Sequence, residues 1–272
     1  SVEWSRIEPR PGEFDSAALE RYAEILRGQG QRQIEPMVTL HHFSNPLWLA
    51  ERGGWEEPET VERFARFARR AVEVLAAYCD LWCPINEPNV YAVLGYLGGE
   101  FPPGKSDLKM AMAVLRHLLQ GHAAAYREIH ALQPQARVGV ALNMRILDPA
   151  NPRSPLDRLV AGISDRTFNW ATLAALRRGG WVMPVGCGRV PELQGTLDWF
   201  GVNYYTRDLV AFDLRQPRTL FSRRLHAADA ELLDGGYGEY YPHGMFRFLQ
   251  RLAGLGLPLY VSENGIPDED DD

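Results

Sequence analysis

The chain has 272 residues, 46% of them hydrophobic and 24% charged, which is room for one large α/β domain or two small ones. A net charge of −6 speaks against a nucleic-acid surface, and no apolar run approaches membrane-spanning length. Three cysteines without regular spacing (Cys79, Cys83 and Cys187) exclude a disulfide framework and fit a reducing, cytoplasmic setting.

In chain order, Val2–Ile7 reads as the end of a strand, followed by a Pro/Gly loop at residues 9–12. Asp15 is a good N-cap for a helix with Leu19, Tyr22, Ala23 and Leu26 on its apolar face, stopped at Gly28 and Gly30. Residues 34–43 predict the next strand. A loop with Trp48, Gly53, Gly54 and Trp55 leads into an amphipathic helix whose stripe is Val61, Phe64, Ala65, Ala68, Val72 and Leu75. That helix delivers the chain to the apolar run 81–85, which ends in Asn86-Glu87-Pro88. Proline stops the strand and favours an extended Glu87. A helix over 108–132, a strand over 137–143, a segment over 148–178 that turns and then becomes helical, and a strand over 197–206 come next. Residues 207–236 show no period and read as a long excursion. A helix near 244–253 precedes a final apolar run, 258–262, that ends in Glu263-Asn264-Gly265, and an acidic tail spans 268–272.

Alternating helices and strands predict a parallel sheet with helical crossovers. No repeat or linker divides the chain, so residues 1–272 read as one domain. The long loops follow strands, as in a (β/α)₈ barrel, where such loops build the active site. Glu87 and Glu263 then stand at two strand tips, and two such carboxyl groups are what glycosidic-bond hydrolysis needs. Arg6, His42, Asn203 and Tyr205 fall at or near other strand ends, and Trp48, Trp55, Tyr91 and Tyr96 could wall a sugar. The cysteines and histidines show no metal-ligand spacing; Cys79 and Cys83 read as small buried hydrophobes. No metal or cofactor is expected.

Joint occurrence raises these otherwise weak signals. The segments Glu3-Trp4-Ser5-Arg6-Ile7-Glu8-Pro9, Thr39-Leu40-His41-His42-Phe43, Gly53-Gly54-Trp55, Asn86-Glu87-Pro88, Gly201-Val202-Asn203-Tyr204-Tyr205-Thr206 and Ser262-Glu263-Asn264-Gly265 occur in order. Together they resemble glycoside hydrolase family 1, the retaining β-glucosidase and β-galactosidase family. The resemblance implies an α/β (β/α)₈ TIM barrel represented by strands two to seven only. It implies Glu87 as acid/base and Glu263 as nucleophile, Asn86 and His42 on sugar hydroxyls, and Tyr205, Arg6 and Asn203 orienting Glu263. The expected ligands are small β-glycosides or oligosaccharides. The family's first strand, with a sugar-binding Gln, and its last, with a Glu and Trp pair, have no counterpart here. Two strand edges are therefore expected to stay unpaired. The alternatives are a catalytically impaired sugar-binding chain, or one that associates with further copies or segments through those edges.

Overall fold

The computed structural model describes residues 1–183 and 185–267; the acidic tail expected over Asp268–Asp272 lies outside the described residues. Its strands are β1 (Met37–His41), β2 (Leu81–Ile85), β3 (Arg137–Pro149), β4 (Trp199–Phe212), β5 (Ser222–Leu225), β6 (Leu232–Leu233), β7 (Gly238–Tyr240) and β8 (Leu259–Glu263). Five of them run parallel in the order β1-β2-β3-β4-β8. All five residues of β2 are buried, which is why the run Leu-Trp-Cys-Pro-Ile shows no alternation. The arc is open: among the described residues β1 pairs only with β2, and β8 only with β4.

The helices are α1 (Trp4–Ile7), α2 (Ser16–Gly30), α3 (Leu47–Ala50), α4 (Thr60–Leu75), α5 (Pro88–Val93), α6 (Leu108–Leu132), α7 (Pro155–Asp165), α8 (Ala171–Arg178) and α9 (His243–Leu252). Asp15 caps α2 by accepting from the Ala17 and Ala18 amides, and Asp107 does the same for α6 from Lys109 and Met110. On α4 the buried stripe is Phe64, Phe67, Ala68, Ala71, Val72 and Leu75. Phe67 and Ala71 thus replace the expected Val61 and Ala65, a rotation of the face by about half the angle between successive residues.

Trp4, Trp55, Phe64 and Phe67 form the centre of this helical layer, all at most 1% exposed. Each such side chain contributes roughly 1.5–3 kcal/mol by leaving water. The layer closes tightly around Gly121 of α6, where an added Cβ would lie 2.8 Å from the Trp55 ring. No helix among the described residues is long and apolar enough to cross a membrane.

Two expectations are corrected. Val2–Ile7 is not a strand: Val2 N donates to Thr39 O (2.9 Å), and the chain then turns into α1. The apolar residues Trp4 and Ile7 are three apart, a helical spacing, and both are buried; Trp4 stacks on Phe67 at 5.0 Å. The arc therefore has five parallel strands rather than six. Nor is 207–236 irregular throughout. β4 runs on to Phe212, pairs with β5 and β7, and β7 pairs with β6. Its inward residues there are Thr206, Asp208 and Val210, and two of these are polar, which hides the period of two.

Candidate active site

Strand register places the polar tips in one row. Asn86 bridges to Ala141, Asn143 stands opposite Asn203, and Asn203 opposite Glu263. His42 follows directly on β1, and its ring nitrogen Nε2 lies 3.3 Å from Asn86 Nδ2.

Glu87 is only 5% exposed. Its backbone is in the left-handed region, φ 46° and ψ 55°, not extended as Pro88 would favour. The neighbouring bonds hold this conformation: Asn86 N donates to His41 O (3.0 Å) and Glu87 N to Ala141 O (2.9 Å), while Pro88 opens α5. Strain of this kind, at a non-glycine residue, collects at functional positions.

Two amides reach the Glu87 carboxyl group, Asn143 Nδ2 at 3.0 Å and Asn203 Nδ2 at 2.9 Å, and both land on Oε1. Among the described residues Oε2 receives neither of these bonds. Burial pushes Glu87 up to about 7 from an ordinary 4.5; the two amide donors pull it back and the charge of Glu263 raises it further. A carboxylic acid titrating near neutrality suits a general acid.

Glu263, half-buried on the edge strand β8, has a different environment. The Tyr205 hydroxyl donates to its Oε2 at 2.7 Å. Burial and the Glu263 carboxylate together push the Tyr205 phenol upward, so it stays a donor. Tyr237 packs edge-on against Tyr205, with ring centroids 5.4 Å apart.

Asn203 links the two carboxyl groups. Its Nδ2 serves Glu87 and Asn86 Oδ1 (3.2 Å), and its Oδ1 accepts from Ser262 Oγ (2.6 Å), next to Glu263. Asn203 is fully buried and uses both ends of its amide, which fixes its orientation.

Of the residues expected from sequence, His42, Asn86, Glu87, Asn203, Tyr205 and Glu263 fall along this row of strand tips. Arg6 does not join them. It lies exposed on α1, and among the described residues it makes no ion pair with Glu263. The expected strand tip is absent there, Val2–Ile7 being helical, and the role in orienting Glu263 that the resemblance implies has no ion pair behind it among the described residues. The four aromatics expected as walls are all buried. Trp48 donates to Glu8 O (2.8 Å) and Trp55 to His41 Nε2 (3.2 Å), bracing the layer behind β1. Tyr91 and Tyr96 line a cavity of about 350 Å³ together with Phe43 and Phe101. Asn143, Ser262 and Tyr237 were not singled out from sequence. Asn143 could have been: it is the polar residue ending the apolar run Val138–Leu142, the same grammar as Asn86-Glu87. Cys79 and Cys83 are buried free thiols, each pushed up to about 12 chiefly by burial, and are unreactive in that form.

The Glu87 shift has a sign for stability. A carboxyl group titrating at about 7 folded and near 4.5 unfolded stabilises the fold fully below 4.5, and that contribution is lost as pH rises to about 7. The difference corresponds to about 3 kcal/mol. Glu87→Gln keeps an acceptor for Asn143 and Asn203 without the charge. It is expected to unfold at higher urea than the parent chain at pH 8 and at nearly the same urea at pH 4. An equal difference at both values would contradict the shift.

Comparison with known proteins shows the family and the fold. The sequence pattern described as Glycosyl hydrolase family 1 matches residues 1–272. A β-galactosidase of Pyrococcus woesei is 28% identical over 99% of this chain and 67% of its own length. β-Glucosidase A of Thermotoga maritima is 27% identical over 99% of this chain and 63% of its own. The structure is similar to a β-glycosidase from Pyrococcus horikoshii (TM-score 0.91, 34% identity, 99% of this chain, 62% of that one). It is equally similar to a Thermotoga maritima family 1 glycoside hydrolase complexed with a cyclophellitol analogue transition state mimic (TM-score 0.91, 26% identity, 100% of this chain, 63% of that one). The chain thus spans somewhat under two thirds of the solved structures' length. By the match along its whole length, and by the row of strand tips that carries Asn86-Glu87 and Glu263, the chain belongs to glycosyl hydrolase family 1.

Proposed function

We propose that the chain acts as a retaining β-glycosidase on terminal β-linked glucose or galactose, by double displacement. Glu87 protonates the leaving oxygen, Glu263 attacks the anomeric carbon, and Glu87, now ionised, activates the water that frees the sugar. What carries this reading is the contrast between the two carboxyl groups. One is buried and titrates at about 7; the other is half-buried and accepts a hydrogen bond from Tyr205 on the adjacent strand. Unequal environments of this kind divide acid from nucleophile. On this reading His42 and Asn86 bind sugar hydroxyls, and Asn203 and Tyr205, through their bonds to Glu87 and Glu263, position the carboxyl groups. The test is the anomer released first from 4-nitrophenyl β-glucoside or β-galactoside, followed by proton NMR. The β-anomer is expected; the α-anomer would overturn the double displacement.

A second reading, a sugar-binding chain with impaired catalysis, is favoured by the open arc. Among the described residues the only strand paired with β1 is β2 and the only one paired with β8 is β4, and His42 and Glu263 are exposed and half-buried respectively. Water at the nucleophile weakens electrostatic preorganisation. On this reading the 272-residue chain binds a sugar yet turns over aryl glycosides far more slowly than the longer relatives, and it gains activity when its edges are covered.

A further inference from the structure

Charge is unevenly spread over the chain. Residues 151–166, which include α7, and residues 212–225, which include the turn between β4 and β5, hold seven arginines against three aspartates, with no lysine or glutamate, although the whole chain has a net charge of −6. The same two segments hold five exposed large apolar side chains: Leu156, Leu159, Ile163, Leu214 and Phe221. Leu156, Leu159 and Ile163 are three and four apart, so they share one side of α7, while Val160 and Ala161 turn inward and pack with Leu147 and Val210. The two segments form one surface. Phe212 N donates to Asp157 Oδ1 (3.0 Å) and Asn151 N to Asp157 Oδ2 (3.1 Å), and Phe212 packs near Phe221 with ring centroids 6.2 Å apart. Leu220 and Phe221 are both in the left-handed region, φ 56° and 60°, held by Phe221 N on Gln216 O (2.8 Å) and by Asp213 N on Phe221 O (2.8 Å). Strain at two adjacent non-glycine residues collects at functional positions, and here it leaves the Phe221 side chain exposed.

The positive charge is not neutralised locally. Arg153, Arg158 and Arg166 are exposed and make no ion pair among the described residues. Arg215 and Arg223 share one carboxylate, Asp213, at 2.8 and 3.5 Å, and Arg224 meets Asp208 only at 3.8 Å. We propose that this face docks the chain on an anionic lipid surface. Apolar side chains interleaved with arginines suit the boundary between headgroups and acyl chains: the apolar groups enter it and the guanidinium groups stay with the phosphates. A second copy of the chain would bring the same surplus of arginine against itself. An acidic peptide would match the charge but would need a groove for its apolar anchors. Leu159 and Leu214 instead protrude, 57% and 73% exposed. The docking role does not depend on the glycosidase reading.

The test is co-sedimentation of the intact chain with vesicles of phosphatidylcholine, alone or mixed with phosphatidylglycerol, at low and high salt. Binding to the mixed vesicles and not to phosphatidylcholine alone is expected, weakened about tenfold or more by high salt. Arg153→Gln/Arg158→Gln and Leu156→Ser/Leu159→Ser should each weaken it about tenfold or more. Arg177→Gln/Arg178→Gln removes as much charge from exposed positions in the last turn of α8 and should leave binding unchanged. All six positions are exposed, so melting temperatures close to the parent's should confirm folding. No binding to the mixed vesicles, equal binding to phosphatidylcholine alone, equal effects of the two arginine pairs, or binding indifferent to the leucine pair would overturn the proposal. A poly-glutamate peptide is titrated in parallel. It should show no dependence on Leu156 and Leu159; capture that needs those leucines would mark a peptide site and overturn the lipid one.

Discussion

Glu263→Gln should reduce kcat for 4-nitrophenyl β-glucoside on the order of 10⁴-fold or more, the scale seen when a nucleophile is lost. At 1.36 kcal/mol per factor of ten, that is about 5.5 kcal/mol of transition-state stabilisation. The substitution is nearly isosteric, and the Tyr205 hydroxyl, 2.7 Å from Oε2 in the parent chain, can donate to the amide oxygen instead. The fold should therefore persist, and the loss should be chemical rather than structural. Comparison of kcat with the unfolding midpoint checks this. A variant that retains a tenth of the parent activity would remove Glu263 from the nucleophile's role.

Glu87→Ala should divide substrates by leaving group. A nitrophenolate departs without protonation, so kcat/KM for the nitrophenyl glucoside should fall by no more than about tenfold. An alkyl glucoside needs the proton and should lose about 10²–10⁴-fold, the usual reach of general acid catalysis. Glu87 is protonated below about 7, so kcat/KM of the parent chain on alkyl glucosides should decline as pH rises through that value. The variant should lack that alkaline limb. Equal losses on both substrates, or an unchanged limb, would count against Glu87 as the acid. Asn143 adds an internal check. Its amide is one of the two that lower the Glu87 pKa, so Asn143→Ala should move the limb to higher pH.

Much of this site was legible in the residues because the chemistry sits at strand ends. An apolar run that stops at a carboxylate announces a strand with a polar end, and both Glu87 and Glu263 were placed at strand ends this way. Periodicity also placed α6 at Leu108–Leu132. The misreadings have physical causes. Trp4 and Ile7 are apolar residues three apart, and a short segment with two of them fits a helical turn as well as a strand. The expected placement of Arg6 at a strand tip went with that reading. The extended Glu87 expected from Pro88 gave way to two backbone bonds, from Asn86 and Glu87, that pin the turn. Thr206 and Asp208 are polar residues facing inward, so β4 outran its apolar pattern. Which of several polar residues orients a carboxyl group is set by register across strands. Asn143 opposite Asn203, and Asn203 opposite Glu263, are long-range facts that local sequence does not carry.

The double displacement requires a covalent sugar on one carboxylate. An activated 2-deoxy-2-fluoro-β-glucoside slows both steps but leaves the second slower, so the intermediate accumulates. Mass spectrometry of the intact chain and then of its peptides should show one fluoro-sugar adduct, carried by Glu263. An adduct on Glu87, or none while the same chain hydrolyses 4-nitrophenyl β-glucoside, would contradict the mechanism.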